Sequence, residues 1–164
     1  MGKKPATLSQ ASFSVGQAVP NFELPSTGGK SVSLSDLKGK AVVLYFYPRD
    51  ATPGCTVEGQ DFSRLLPKFK AKGAEVFGVS RDTLASHEKF KAKEKYKMDL
   101  LSDVDEQVCQ LFGVMKMKNM YGKKVRGVER STFVIDAKGK LMKEWRGVRV
   151  PEHAQEVLEF LKSL

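Results

Sequence analysis

Few side chains in this sequence can do covalent chemistry. There are two cysteines, Cys55 and Cys109, and two histidines, His87 and His153. Cys55 closes the run Thr52-Pro53-Gly54-Cys55, which follows Tyr45-Phe46-Tyr47-Pro48-Arg49-Asp50-Ala51 and leads into Thr56-Val57-Glu58. The thiolate, not the thiol, is the nucleophile. A free cysteine of pKa about 8.5 is only roughly 3% ionised at pH 7. Bringing such a group to a pKa of about 6 takes about 3.4 kcal/mol. A helix N-terminus supplies about 0.3–1 kcal/mol, and about 2 at best. A reactive cysteine at a helix start therefore needs a cation as well. Arg49 is a neighbour in sequence, many other basic residues are available, and spacing alone does not choose among them. The alternative for Cys55 is a buried, inert thiol.

The elements around Cys55 favour the reactive reading. Val42-Val43-Leu44-Tyr45-Phe46 is an apolar, β-rich run that suits a strand buried on both faces, over Ala41 to Tyr47. Phe62, Leu65, Leu66 and Phe69 stand at helical spacing. Thr52 is a good N-cap and Pro53 fits a first helical position, so the helix is predicted from about Thr52 to Lys72. Cys55 then lies in its first turn, where unpaired N–H groups face a negative charge. Pro67 inside the pattern predicts a kink or break near Leu66.

Along the chain, residues 1–14 are polar and small and are expected to form a flexible arm, leaving residues 15–164 as one domain. Short strands are expected at Phe22–Leu24 and Ser31–Leu34 around a Gly28-Gly29 turn. Strands are predicted at 74–80, near Leu100-Leu101, at 131–135 and at 141–146. Helices are predicted from Asp82 or Thr83 to about Tyr96, from Glu106 to Phe112, and from Pro151 onward. This alternation, closed by a hairpin and a helix, implies an α/β chain with a mixed sheet. Met115 to Lys124, with four lysines, reads as a solvated loop. His87 and His153 sit among charged residues and are expected to face solvent.

Composition narrows the classes. At 164 residues with 41% hydrophobic content the chain can bury one good core. No apolar run approaches the roughly 18 residues that span a bilayer, so no membrane partner is expected. The start Met1-Gly2-Lys3-Lys4-Pro5-Ala6 has no secretory pattern, which places the expected location in the cytoplasm. The formal charge of +9 invites a nucleic-acid reading, but the lysines are scattered, and no specific nucleic-acid partner is expected. Neither cysteine has a C-x-x-C neighbour and no Cys/His group has zinc spacing. No metal or cofactor is expected.

Pro48-x-x-x-Thr52-x-x-Cys55 resembles the active-site motif of peroxiredoxins. The longer run from Tyr45 through Glu58 is similar to the peroxiredoxin Q, or bacterioferritin comigratory protein, branch. A second block, Gly127-Val128-Glu129-Arg130-Ser131-Thr132-Phe133-Val134-Ile135-Asp136, resembles the segment carrying that family's active-site arginine. The likeness runs from about Val15 to the C-terminus. It implies a thioredoxin-like fold, a central mixed sheet flanked by helices with a short N-terminal hairpin. It implies an antioxidant thiol peroxidase that reduces hydrogen peroxide and organic hydroperoxides through a cysteine sulfenic acid. It assigns Cys55 as nucleophile, Thr52 as hydroxyl donor to the peroxide, Arg130 as the activating cation, Pro48 as a shield over the sulfur and Glu58 as the residue holding Arg130. The implied reductant is thioredoxin, glutaredoxin or a small thiol, and relatives in this branch are often monomers.

The chain departs from the family at the resolving step. Many relatives carry a second cysteine five residues after the first, where Gln60 stands here. Others carry it on the following helix, where this chain has Lys91. Cys109 remains as the resolving candidate. Its place beside Val108, Leu111 and Phe112 favours instead a buried small hydrophobe, with one-cysteine chemistry and reduction by an external thiol. The competing functions are a thiol–disulfide oxidoreductase, disfavoured by the missing C-x-x-C pair, and a basic binding protein or chaperone with an inert cysteine.

Overall fold

The structure is a computed structural model that describes residues 11–164. Strands β1 (Glu23–Ser26) and β2 (Lys30–Ser33) form a short hairpin, followed by a 3-10 turn over Leu34–Leu37. Then come β3 (Ala41–Phe46), α1 (Pro53–Ala71), β4 (Ala74–Ser80), α2 (Leu84–Glu94) and β5 (Asp99–Ser102). The remainder is α3 (Gln107–Leu111), β6 (Met115–Met120), β7 (Lys123–Val128), β8 (Ser131–Ile135), β9 (Leu141–Arg146) and α4 (His153–Lys162). Seven strands make one sheet in the order β2-β1-β5-β4-β3-β8-β9, and β6 pairs only with β7. β3, β4 and β5 run parallel; β8 returns antiparallel to β3, and β9 to β8. The mixed α/β sheet with an N-terminal hairpin agrees with the sequence reading.

β3 is central, and its side chains alternate between the two faces of the sheet. Val42, Leu44 and Phe46 join one buried cluster with Phe112, Val108 and Cys109. Val43, Tyr45 and Tyr47 join the other, with Cys55 and Phe62 of α1, Phe90 of α2 and Val157 of α4. Each large side chain buried this way contributes about 1.5–3 kcal/mol.

Four expectations need correction. α1 runs unbroken through Pro67. Pro67 faces solvent while Phe62, Leu65, Leu66 and Phe69 are buried on either side of it, so packing outweighs the lost backbone bond. Of the arm expected over residues 1–14, residues 1–10 lie outside the described residues. Its expected end at residue 14 is too late, because Phe13 is buried with its ring 5.1 Å from that of Phe112. Met115 to Lys124 is not a loop: Met117↔Arg126 and Lys118↔Val125 pair across a hairpin. Tyr121 and Gly122 both take positive φ at its two-residue turn, which matches the twist of the strands. Finally, neither histidine is exposed; His87 is fully buried and His153 nearly so.

Candidate active site

The site lies where β3 ends. Tyr47 continues the strand by donating its N–H to the Val79 carbonyl at 3.0 Å. Pro48 has no N–H to continue the ladder and is half-buried. Residues 48–52 then turn the chain into α1, with Ala51 at φ +64°. Pro53 opens the helix, as expected, and Cys55 is its third residue, 2% exposed.

Arg130 reaches this point from far along the chain. The antiparallel register pairs Phe46 with Ser131, so the residue before Ser131 falls just beyond the end of β3. Val148 N–H fixes the Arg130 carbonyl at 2.9 Å. The guanidinium bridges two groups of α1: Nη2 lies 3.4 Å from Cys55 Sγ, and Nη1 donates to Glu58 Oε1 at 2.5 Å. Cys55 and Glu58 share one helix face because they stand three residues apart. Gly54 leaves the room needed, since a Cβ there would sit 3.2 Å from Arg130 Nη2. Arg49, the neighbour in sequence, is exposed.

Glu58 is 1% exposed and its Oε2 has no partner among the described residues. Burial pushes its pKa up to about 7 against the pull of Arg130. Arg130 is also buried, which works against its charge, but Glu58 and the Cys55 sulfur outweigh that and raise its pKa. The pair is thus poised: the guanidinium stays charged while the carboxyl titrates near neutrality.

Thr52 differs from expectation in detail. It stands at the N-cap with extended backbone, yet its side chain makes no cap bond. Its hydroxyl donates to the Arg49 carbonyl at 2.9 Å. A carbonyl can only accept, so the Thr52 proton is engaged and its oxygen lone pairs are left for another donor.

A buried polar network holds the 48–52 loop from behind, and sequence reading missed it. Asp50 accepts from Tyr47 OH at 2.6 Å and Ser86 Oγ at 2.8 Å, and His87 Nδ1 lies 2.7 Å from it. His87 Nε2 lies 2.9 Å from the Leu101 carbonyl. Burial opposes ionisation of Asp50, but its bonds to His87, Tyr47 and Ser86 prevail and hold it below the usual carboxylate range. His87 thus spans two oxygen partners, the Asp50 carboxylate at Nδ1 and the Leu101 carbonyl at Nε2. The spacing Asp50…Ser86-His87 carries no sequence signal, because the partners meet only through the packing of α2 on the sheet. Asp50, Asp82 and His87 could in principle hold a metal ion. Asp82 Oδ2 accepts from Asp50 N–H at 2.9 Å and Ser80 Oγ at 2.5 Å, which ties it into the same loop network.

Two further residues shape the site. Tyr96 OH donates to the Thr56 carbonyl at 2.9 Å, and its ring packs over Gly59, where a Cβ would meet the hydroxyl at 2.3 Å. Lys118 of β6 is half-buried; burial and the Arg130 guanidinium lower its pKa, and Cys55 pulls the other way. Lys118 was hidden in what read as a solvated run.

Cys109 is not brought to Cys55. It belongs to the cluster on the opposite face of the sheet, fully buried, and burial pushes its thiol pKa well up. Gln60 and Lys91, at the other resolving positions, hold Glu94 at 2.9 Å and Asp99 at 2.6 Å. A depression of about 180 Å³, lined in part by Val42 and Lys138, sits at the other end of β3, away from Cys55.

Known proteins resemble this chain over most of its length. The model of the AhpC/TSA family matches residues 15–144. Peroxiredoxin Bcp of Xanthomonas campestris is 49% identical over 144 residues, 87% of this chain and 90% of that one. The chain belongs to the AhpC/TSA family, in the peroxiredoxin Q or Bcp branch. Peroxiredoxin Bcp of Bacillus subtilis is 46% identical, covering 92% of this chain and 96% of its own. Among solved structures, a variant of Xylella fastidiosa PrxQ superposes with a TM-score of 0.89 at 42% identity, over 94% of this chain and 98% of that one. The bacterioferritin comigratory protein of Xanthomonas campestris, solved in trapped intermediate and ligand complexes bearing on its alkyl peroxide reduction activity, superposes with a TM-score of 0.85 at 45% identity, over 94% and 98%. The fold is therefore thioredoxin-like, and this peroxiredoxin is a thiol peroxidase, taking a peroxide as substrate and a thiol as reductant. Among the described residues no helix is long and apolar enough to cross a membrane.

Proposed function

We propose that Cys55 is the nucleophile that reduces hydrogen peroxide and organic hydroperoxides. The observation that carries this reading is the approach of Arg130 Nη2 to Cys55 Sγ at the first turn of α1, at 3.4 Å. The thiolate attacks one peroxide oxygen, the O–O bond breaks, and the other oxygen leaves as water or alcohol once protonated. Cys55 becomes a sulfenic acid. Negative charge moves from sulfur to the leaving oxygen, and a guanidinium touching the sulfur can follow it with its remaining donors. Thr52, its own proton held by the Arg49 carbonyl, accepts the O–H of the incoming peroxide. Pro48 shields the mouth of the site from bulk water, and Glu58 fixes Arg130.

The separation of Cys55 and Cys109 by the sheet supports one-cysteine chemistry, with reduction by an external thiol: thioredoxin, glutaredoxin or a small thiol. The reading extends to a single working domain from about residue 13 to 164, acting as a monomer in the cytoplasm. The test is stopped-flow single-turnover oxidation with hydrogen peroxide and with an organic hydroperoxide. Cys55→Ser should abolish peroxide consumption. Arg130→Met removes a charge-assisted bond worth about 1.5–3 kcal/mol, so oxidation should slow roughly ten- to hundredfold. Unchanged oxidation in Arg130→Met would overturn the assignment.

A further inference from the structure

We propose that the face of the β6–β7 hairpin bearing Lys116, Lys118, Met120, Lys123 and Val125 is the docking surface for an acidic dithiol protein that reduces oxidised Cys55. The proposal rests on the peroxidase reading above and adds the place where the reductant binds and the charge that it must carry.

The register puts these side chains together. Lys116 pairs with Gly127, Lys118 with Val125, and Met120 with Lys123, so all lie on one face of the two-stranded sheet. The other face is engaged at its base, while Met117 nearer the tip stays 46% exposed. Met115 and Val128 are buried in the core, and Arg126 donates to both carboxylate oxygens of Glu106. The hairpin springs from the rim of the site, since β7 ends at Val128, two residues before Arg130, and Lys118 on this face is half-buried with its charge acting on both Arg130 and Cys55.

Its charge is unbalanced. Residues 115–128 hold four lysines and one arginine and no carboxylate. Elsewhere lysines pair with acids, as Lys30 and Lys91 do with Asp99 and Lys40 with Glu75. Among the described residues, no ion pair joins Lys116, Lys118 or Lys123 to a carboxylate. Met120 and Val125 are 49% and 43% exposed between them. Apolar side chains ringed by unpaired cations suit a protein surface of opposite charge, which would be steered in and then desolvated at its centre.

The chemistry suits such a partner. The sheet withholds Cys109, so the oxidised sulfur must be reduced from outside. A partner thiol attacks the sulfenic sulfur, forming a mixed disulfide and releasing water. The partner's second thiol then attacks its own first sulfur, freeing the Cys55 thiolate and closing the partner's disulfide. Two thiols are oxidised and one sulfenic acid is reduced.

The experiment compares turnover supported by a thioredoxin of net negative charge with turnover supported by dithiothreitol, which is neutral. The variant is Lys116→Glu/Lys123→Glu, and Lys124→Glu supplies a charge reversal on the opposite face. The double variant should raise KM for thioredoxin about tenfold or more, while Lys124→Glu does much less. Wild-type kcat/KM for thioredoxin should fall as salt rises from roughly 20 to 300 mM. Dithiothreitol-supported turnover and single-turnover oxidation of Cys55 should be unchanged in both variants, which also shows that they fold. Unaltered thioredoxin kinetics in the double variant overturn the proposal. So does a wild type that turns over with dithiothreitol but not with thioredoxin. Loss of RNA binding or of self-association in the double variant, with thioredoxin kinetics intact, would assign the patch to nucleic acid or to a second copy instead. Absence of Cys55 oxidation in the wild type would strike the peroxidase reading itself, through a separate arm.

Discussion

Glu58 sets a test in which stability, not turnover, reports the architecture of the site. Its carboxyl has an ordinary pKa of 4.5 and is pushed up to about 7 in the folded chain, first by burial and against the pull of Arg130. The native state therefore holds a proton that the unfolded chain has released between these two values. More protons bound in the native state means that stability falls as pH rises through this window and levels off above about 7. A shift of about 2.5 pH units at about 1.36 kcal/mol each gives a loss on the order of 3 kcal/mol. Glu58→Gln keeps the shape and has no proton to lose. His153 pulls the opposite way, because burial lowers its pKa and so makes stability rise with pH near 6.5. It is present in both proteins and cancels in the difference. The assay is urea unfolding of reduced wild type and Glu58→Gln from pH 4.5 to 8, followed by the fluorescence of Trp145, the single tryptophan. The wild type should lose about 3 kcal/mol more than the variant across that range. Parallel curves would show that Glu58 is not a buried carboxyl titrating beside Arg130, and the poise described for the site would fail with it.

Three other outcomes follow from the packing. Gly59→Ala should destabilise by about 1–3 kcal/mol, read as a fall in Tm, because the new Cβ would sit 2.3 Å from the Tyr96 hydroxyl. His87→Ala should cost about 1–3 kcal/mol in urea unfolding, since it removes one of the bonds to the buried Asp50 carboxylate and leaves the Leu101 carbonyl without its ring partner, and it should also slow Cys55 oxidation by loosening the 48–52 loop. Cys109→Ala should leave thiol-supported turnover unchanged, and intact-mass measurement after one equivalent of peroxide should show oxygen added to Cys55 with no Cys55–Cys109 disulfide.

Much of the scaffold was legible because its signals are local. The buried run at 41–46, the Thr52-Pro53 helix start and the apolar stripe of α1 each state their structure within a few residues. Cys55 could be picked from that context alone. Arg130 could not: nothing in spacing distinguishes it from Arg49, and only the resemblance named it. Its arrival depends on the Phe46↔Ser131 register, a property of the folded sheet. The histidines misled for a similar reason. Their neighbours in sequence are charged, but α2 and α4 turn His87 and His153 inward onto Asp50 and Thr132. The hairpin at 115–128 was hidden by composition, because lysines suggested solvent, while the two-residue Tyr121-Gly122 turn and the Met-Lys alternation were the signals that a strand pair was present.

The same sheet that delivers the arginine also partitions the cysteines. β3 sends Tyr45 and Tyr47 to the face where α1 packs and Leu44 and Phe46 to the face where α3 packs, and each helix carries one cysteine into its own layer. A disulfide needs Cα atoms roughly 4.4–6.8 Å apart, whereas facing layers across a sheet are separated by the strands themselves. Joining the two sulfurs would mean withdrawing Cys109 from a fully buried place whose helix is pinned by Asp103, which accepts the Val108 and Cys109 N–H groups. That withdrawal exposes Val108 and Phe112 and breaks both bonds, while attack by an outside thiol needs only access to the mouth of the site. The lower-cost route for resolving oxidised Cys55 therefore runs through a second molecule, and the unpaired lysines beside that mouth are where its charge would be felt first.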